Sequence, residues 1–187
     1  MKDTSFSIII MIFLVLLTGI GIDSQINSYT KIYPVEVPTV NLPLSLRQSN
    51  WIEHGYGSCV WASLISLLRW QDRDDLAATI DKNYGGGEYL PGIGKKLNAI
   101  NVDYAVARGD QGFLEWACNT RRGAAVSIRY GGHMVALVHI NDSYVCLLDN
   151  NNTAMYVWIP RDEFMENWRQ SGGWAFTPVY SPVPPLP

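Results

Sequence analysis

The stretch from Val60 to Trp70 constrains this chain more than any other: it has to be a helix, and the helix has to lie inside. Val60, Leu64, Leu67 and Leu68 recur at helical spacing, and Trp61 and Ile65 extend the apolar surface around most of the circumference. A helix that is apolar on nearly every side is stable only when other elements enclose it. Small, turn-forming residues, Gly55-Tyr56-Gly57-Ser58, lead into it, and Ser58 is of the N-cap type. Cys59 therefore falls in the first turn. Unpaired backbone N–H groups and the positive end of the helix dipole favour an anion there. The nucleophilic form of cysteine is the thiolate, and such a position draws the thiol below its free pKa of roughly 8.5.

The chain has 187 residues and a net charge of −3, with seven Trp and ten Tyr. That length is one domain's worth, and the aromatic content is enough for a full core. No basic stripe or basic run is present, which argues against a nucleic-acid partner. Residues 6–22 are almost wholly apolar behind Lys2, and polar Asp23-Ser24-Gln25 follow. The run lies between the length of a signal h-region and that of a membrane span. Residues 1–25 accordingly read as a signal peptide or an N-terminal membrane anchor, with the domain exported: secreted, periplasmic or tethered outside the cytoplasm. Three cysteines, Cys59, Cys118 and Cys146, are too few for a disulfide framework. Cys118 and Cys146 sit in apolar runs and read as small buried hydrophobes, with one bridge between them as the alternative.

Residues 26–43 are rich in Pro and β-branched residues and read as an extended lead-in with one edge strand. The domain proper spans 44–177. Helices are expected over 72–82, 91–99 and 110–121, with Asp110 capping the last, and another opens at Pro160 and runs to Arg169. Strands are expected over 102–107, 124–130, 133–140, 143–148, 155–159 and 174–177. Gly131-Gly132 and Asn141-Asp142 are the hairpin turns. Residues 178–187 form a Pro-rich tail, extended and loosely held. Helices first and an antiparallel sheet after them make an α+β fold. Gly85-Gly86-Gly87 is no phosphate loop, since no strand precedes it and the Gly-Lys-Ser/Thr ending is missing.

Two later residues complete a site around Cys59. His133 opens a strand directly after two glycines, where the backbone is bare enough for a substrate to approach. Asp149 ends the next strand, sixteen residues on, and Asn150 follows it. A hairpin at Asn141-Asp142 brings these strand ends together, so that Asp149 or Asn150 accepts the second ring N–H of His133 and fixes its tautomer. Cys59 as nucleophile, His133 as base and Asp149 as orienter form a thiol version of the triad. His139 shares strand parity with His133 and hence its face. A metal reading of His54, Cys59 and His133 is the weaker alternative.

On these residues the chain resembles the papain-like cysteine peptidase superfamily. Gly57-Ser58-Cys59-Val60-Trp61-Ala62-Ser63 is similar to the nucleophile segment Gly-Ser-Cys-Trp-Ala, with Val60 inserted. Gly132-His133-Met134-Val135-Ala136-Leu137 and Leu147-Leu148-Asp149-Asn150 resemble the double-glycine leader peptidases, the bacteriocin-processing domains of exporters. The resemblance covers about Leu44 to Thr177. It implies a helical layer carrying the nucleophile helix, packed on a C-terminal antiparallel sheet, with a thiolate–imidazolium pair in the cleft between them. It further implies a cysteine-type peptidase acting on a peptide or protein through an acyl-enzyme, with no cofactor and no metal. Where the family places a donating Gln six residues before the nucleophile, this chain has Glu53, an acceptor when ionised. His54 offers an N–H beside it, and Gln48 and Asn50 are donors farther away. That substitution opens one alternative, a catalytically inactive domain that binds peptides; the triad alone leaves open another, an amidase or acyltransferase acting on cell-wall or other amides.

Overall fold

A computed structural model describes residues 37–53 and 56–180. The apolar run at 6–22, His54 and Gly55, and the tail beyond Tyr180 lie outside the described residues, as does the side chain of Glu53.

The order of elements is a two-stranded ribbon, β1 (Ile52–Glu53) and β2 (Tyr56–Gly57), then three helices, α1 (Cys59–Trp70), α2 (Asp74–Asn83) and α3 (Leu90–Ala99). Strand β3 (Tyr104–Arg108) and helix α4 (Gln111–Asn119) follow. Next come β4 (Ala124–Ile128), β5 (His133–Ile140), β6 (Tyr144–Leu148), β7 (Val157–Pro160), α5 (Arg161–Gln170) and β8 (Trp174–Pro178). The six later strands form one antiparallel sheet in the order β3-β8-β4-β5-β6-β7. The fold is α+β, as expected.

Helix α1 is enclosed as its sequence demands, with ten of its twelve residues buried. Full burial of a side chain such as Leu64, Leu67 or Leu68 stabilises by roughly 1.5–3 kcal/mol, so this one helix anchors the domain. It packs on β5 and β4. The strand period then sorts the core. Met134, Ala136, Val138, Cys146 and Leu148 face the α1 side, whereas Val135, Leu137, Val145 and Leu147 face α4 and α5. The sheet is therefore covered on both faces, and the second helical layer is an addition to the expected pair of layers.

Several expectations are corrected. Ser58 occupies the N-cap position but does not cap: its hydroxyl donates to Trp51 O (2.8 Å) and accepts from Trp51 N (3.0 Å), pinning the 50–51 segment to the helix start. Asp110 does cap α4, accepting from Phe113 N at 3.2 Å. The part of the lead-in at 26–36 lies outside the described residues; within 37–49 no strand forms, and a 3-10 turn occurs at Leu44–Leu46. The segment is still part of the core, because Val40 and Leu42 are fully buried and Val40 N–H donates to Val138 O at 2.9 Å. The start of the tail is held too: Val179 N–H donates to Asp103 O (3.1 Å), Tyr180 N–H to Gln71 Oε1 (3.0 Å), and Arg73 stacks on Tyr180. Strand β4 stops at Ile128 rather than Tyr130, because Arg129, Tyr130 and Gly131 all take positive φ in a tight 3-10 turn. Cys118 and Cys146 are free thiols in different core clusters, not a bridge. Among the described residues, no helix is long and apolar enough to cross a membrane.

Candidate active site

Three element ends meet beside α1. Cys59 is its first residue, His133 the first of β5, and Asp149 follows the last of β6. The antiparallel pairing of β5 with β6 carries Asp149 back to the start of β5. His133 Nε2 bonds Asp149 Oδ1 at 2.8 Å, which leaves Nδ1 as the nitrogen for the Cys59 thiol, with which the imidazole is hydrogen-bonded. The structure brings together the three residues that the sequence singled out.

The electrostatics favour an ion pair. Burial opposes the Cys59 thiolate, but the His133 hydrogen bond and charge, with the backbone N–H groups of Met134 and Val60, outweigh it and lower the thiol pKa. Burial likewise opposes the His133 imidazolium, and the contacts with Cys59 and Asp149 outweigh it, raising its pKa. Desolvation raises the Asp149 carboxyl, and the His133 bond, the Asn151 N–H (2.9 Å) and the Arg129 charge together carry it below its ordinary value. By contrast, burial pushes Cys118 and Cys146 far upward, so those thiols stay protonated and inert.

Asn150 takes a different place from the one expected. It is buried, and its amide nitrogen donates among Cys59 O (3.0 Å), Met134 O (2.8 Å) and Ser63 Oγ (2.9 Å). It therefore ties the nucleophile's turn to the histidine's strand rather than orienting the imidazole. Two neighbours of the triad had no motif to mark them. Asn151 places its amide 3.3 Å from His133 Nε2 and is itself held by Asn50 at 2.9 Å. Arg129 lies 3.6 Å from Asp149 Oδ2. Both gain their place only through the register of distant strands.

His139 does not share His133's face. A bulge between Leu137 and His139 adds Val138 to the strand, which reverses parity and turns His139 toward Thr39 Oγ1 (2.7 Å) and the Trp158 ring. Neither alternative amide points to the thiol. Gln48 accepts from Arg69 (2.9 Å), and the side chain of Asn50 serves Ser58 and Asn151. The backbone N–H of Cys59, at the helix start, has no intrahelical acceptor and is a candidate oxyanion donor among the described residues. Glu53's side chain and His54, the other two candidates, are not described, and neither is the metal grouping that includes His54.

Cys59 and His133 open into a cleft of about 490 Å³. One wall is Tyr56, Gly57 and the 87–91 segment; the other carries Arg108, Ser127, Gly131-Gly132 and Trp174.

No family model matches the chain, and no curated protein matches it. Solved structures do. A putative C39-like peptidase from Bacillus anthracis aligns with a TM-score of 0.54 at 16% identity, over 79% of this chain and 98% of that one. A double glycine motif protease from an AMS/PCAT transporter, solved in complex with the leader peptide, gives 0.48 at 17% identity over 71% and 94%. The peptidase domain of Streptococcus mutans ComA, in complex with a small-molecule inhibitor, gives 0.38 at 13% over 48% and 73%. The likeness is one of fold, and it is the fold that the papain-like resemblance implied.

Proposed function

We propose that this domain is a cysteine-type peptidase. The observation that carries the proposal is the imidazole of His133, hydrogen-bonded to Cys59 on one side and to Asp149 at 2.8 Å on the other. The Cys59 thiolate attacks the carbonyl carbon of a peptide bond, and the carbonyl π electrons move to oxygen, facing the Cys59 N–H. On collapse the C–N bond breaks, and the His133 imidazolium gives its Nδ1 proton to the departing amine. Cys59 is left as a thioester. His133, now neutral, takes a proton from water as the water attacks, and the C–S bond breaks to release the carboxylic acid and restore the thiolate. Asp149 orients the ring and stabilises its charged form. The exported location rests on residues 6–22 and is proposed with it.

Iodoacetamide alkylation tests the reading. A free thiol is only about 0.3% thiolate at pH 6, from a pKa of roughly 8.5. Cys59 in the folded protein should react at least about tenfold faster than such a thiol at that pH, even after allowing for the lower intrinsic nucleophilicity of a low-pKa thiolate. Labelling should vanish in Cys59→Ala, because Cys118 and Cys146 are buried. A rate equal to that of a free thiol from pH 5 to 8 refutes the activated nucleophile. Peptide binding without turnover, unchanged in Cys59→Ala, would replace the peptidase with the inactive binding domain.

A further inference from the structure

The cleft has an uneven charge. Of the described residues that line it, Glu88 is the one acid and Arg108 the one strong base. Glu88 is spent: its side chain is 7% exposed and ion-paired with Lys96, which lies over the Trp61 and Tyr84 rings. Arg108 is held but not neutralised. Its Nε donates to Gly172 O at 3.2 Å, and its guanidinium lies 5.3 Å from the centroid of Trp174, another cleft residue. Its terminal Nη atoms have no partner among the described residues.

The loop that fixes Arg108 is built for close approach. Gly173 has φ +65°, and a Cβ there would lie 2.9 Å from Gly109 N, so the 172–174 turn closes on the end of β3. The side chain is thus pre-positioned, with a planar fork left to donate, which is the arrangement that recognises a carboxylate bidentately. The rest of the lining offers glycines and aromatic rings rather than competing charges. Among the described lining residues, the Arg108 guanidinium is therefore the charge left without a carboxylate partner, in a chain of net charge −3.

We propose that the cleft selects peptides bearing a carboxylate, an Asp or Glu side chain or a chain-terminal carboxyl, and that Arg108 determines this specificity. The inference rests on the peptidase reading for the direction in which peptides enter.

Fluorescence anisotropy on the Cys59→Ala protein tests it, using labelled Gly/Ala decapeptides with Glu, Gln or Lys placed at one position at a time, together with one C-terminal carboxylate/carboxamide pair. A partly exposed ion pair should favour Glu over Gln, or carboxylate over carboxamide, by roughly three- to tenfold in Kd at one position. The preference should shrink in 0.5 M salt. Adding Arg108→Gln should bring the ratio to about one, Arg108→Lys should restore part of it, and Arg108→Glu should turn it toward Lys. Equal binding of all members, a preference that survives Arg108→Gln, or no measurable binding of any peptide overturns the proposal. Failure of the peptidase reading shows separately, in the iodoacetamide rates of the wild-type thiol, which involve no peptide.

Discussion

Replacing Asn150 with alanine removes one side chain that links three structural elements. The amide nitrogen of Asn150 donates among the Cys59 carbonyl at the start of α1, the Met134 carbonyl on β5 and the Ser63 hydroxyl. Ser63 also reaches both carbonyls, at 2.9 Å and 3.2 Å, but its single proton can serve only one of them. In Asn150→Ala at least one buried carbonyl loses its side-chain donor, at about 1–3 kcal/mol. The emptied space adds about 1–2 kcal/mol in the manner of other large-to-small core changes. One gain offsets part of this. Asn150 Oδ1 is itself buried without a partner, so deleting it returns about 1 kcal/mol. The net loss is about 1–4 kcal/mol, or about 2–16 °C in Tm for a chain of this size. Urea unfolding monitored by tryptophan fluorescence measures it.

Asn150→Asp makes the same argument sharper. A carboxylate would face two carbonyl oxygens with no donor to give, so at pH 7 it should cost more than alanine, about 3–5 kcal/mol. Burial among acceptors holds that new carboxyl above its unfolded pKa of roughly 3.9. A group raised on folding contributes most below its unfolded pKa and loses that contribution as pH rises through the folded value. Relative to wild type, Asn150→Asp should therefore recover stability on acidification, when the protonated acid can donate again. If Asn150→Ala unfolds within 0.5 kcal/mol of wild type, or Asn150→Asp is as stable as alanine at pH 7, the clamp does not exist as described.

Other expected outcomes follow from the same geometry. The iodoacetamide rate of Cys59 plotted against pH should inflect below the roughly 8.5 of a free thiol, and His133→Ala should move the inflection back up, since the imidazole is the main group holding the thiol down. Asp149→Asn keeps a hydrogen-bonding shape but removes the charge that supports the imidazolium, so alkylation at pH 6 should fall at least about tenfold while urea unfolding changes little. Gly123→Ala should destabilise by about 2–4 kcal/mol in urea unfolding, because Gly123 has φ +68° and a Cβ there would lie 2.8 Å from Leu67 Cδ2 and 2.9 Å from Leu137 O.

What the sequence revealed was whatever its local signals encode. Strand β5 begins and ends at His133 and Ile140 because Gly131-Gly132 and Asn141-Asp142 punctuate both ends. Helix α1 was legible because apolar residues wrap it, and Asp110 because capping is a contact three residues long. The misses share one cause: a distant partner outbids the local preference. Ser58 has the chemistry of a cap, yet Trp51 offers its hydroxyl both a donor and an acceptor. Val138 looks like any strand residue, and only its pairing with β6 makes it a bulge that turns His139 away. Pro178 to Tyr180 reads as tail, yet Asp103, Gln71 and Arg73 hold it.

The same division runs through the site. Cys59, His133 and Asp149 each stand at the end of an element, where composition changes abruptly and a sequence can mark them. Asn150, Asn151, Arg129 and Arg108 support or extend that site through register, loop closure and a guanidinium that no carboxylate among the described residues neutralises. The three residues at element ends carry the proposed chemistry. The others hold its geometry and, in the proposal for Arg108, select its substrate, so a relative that kept the legible triad could still differ in the peptides it takes.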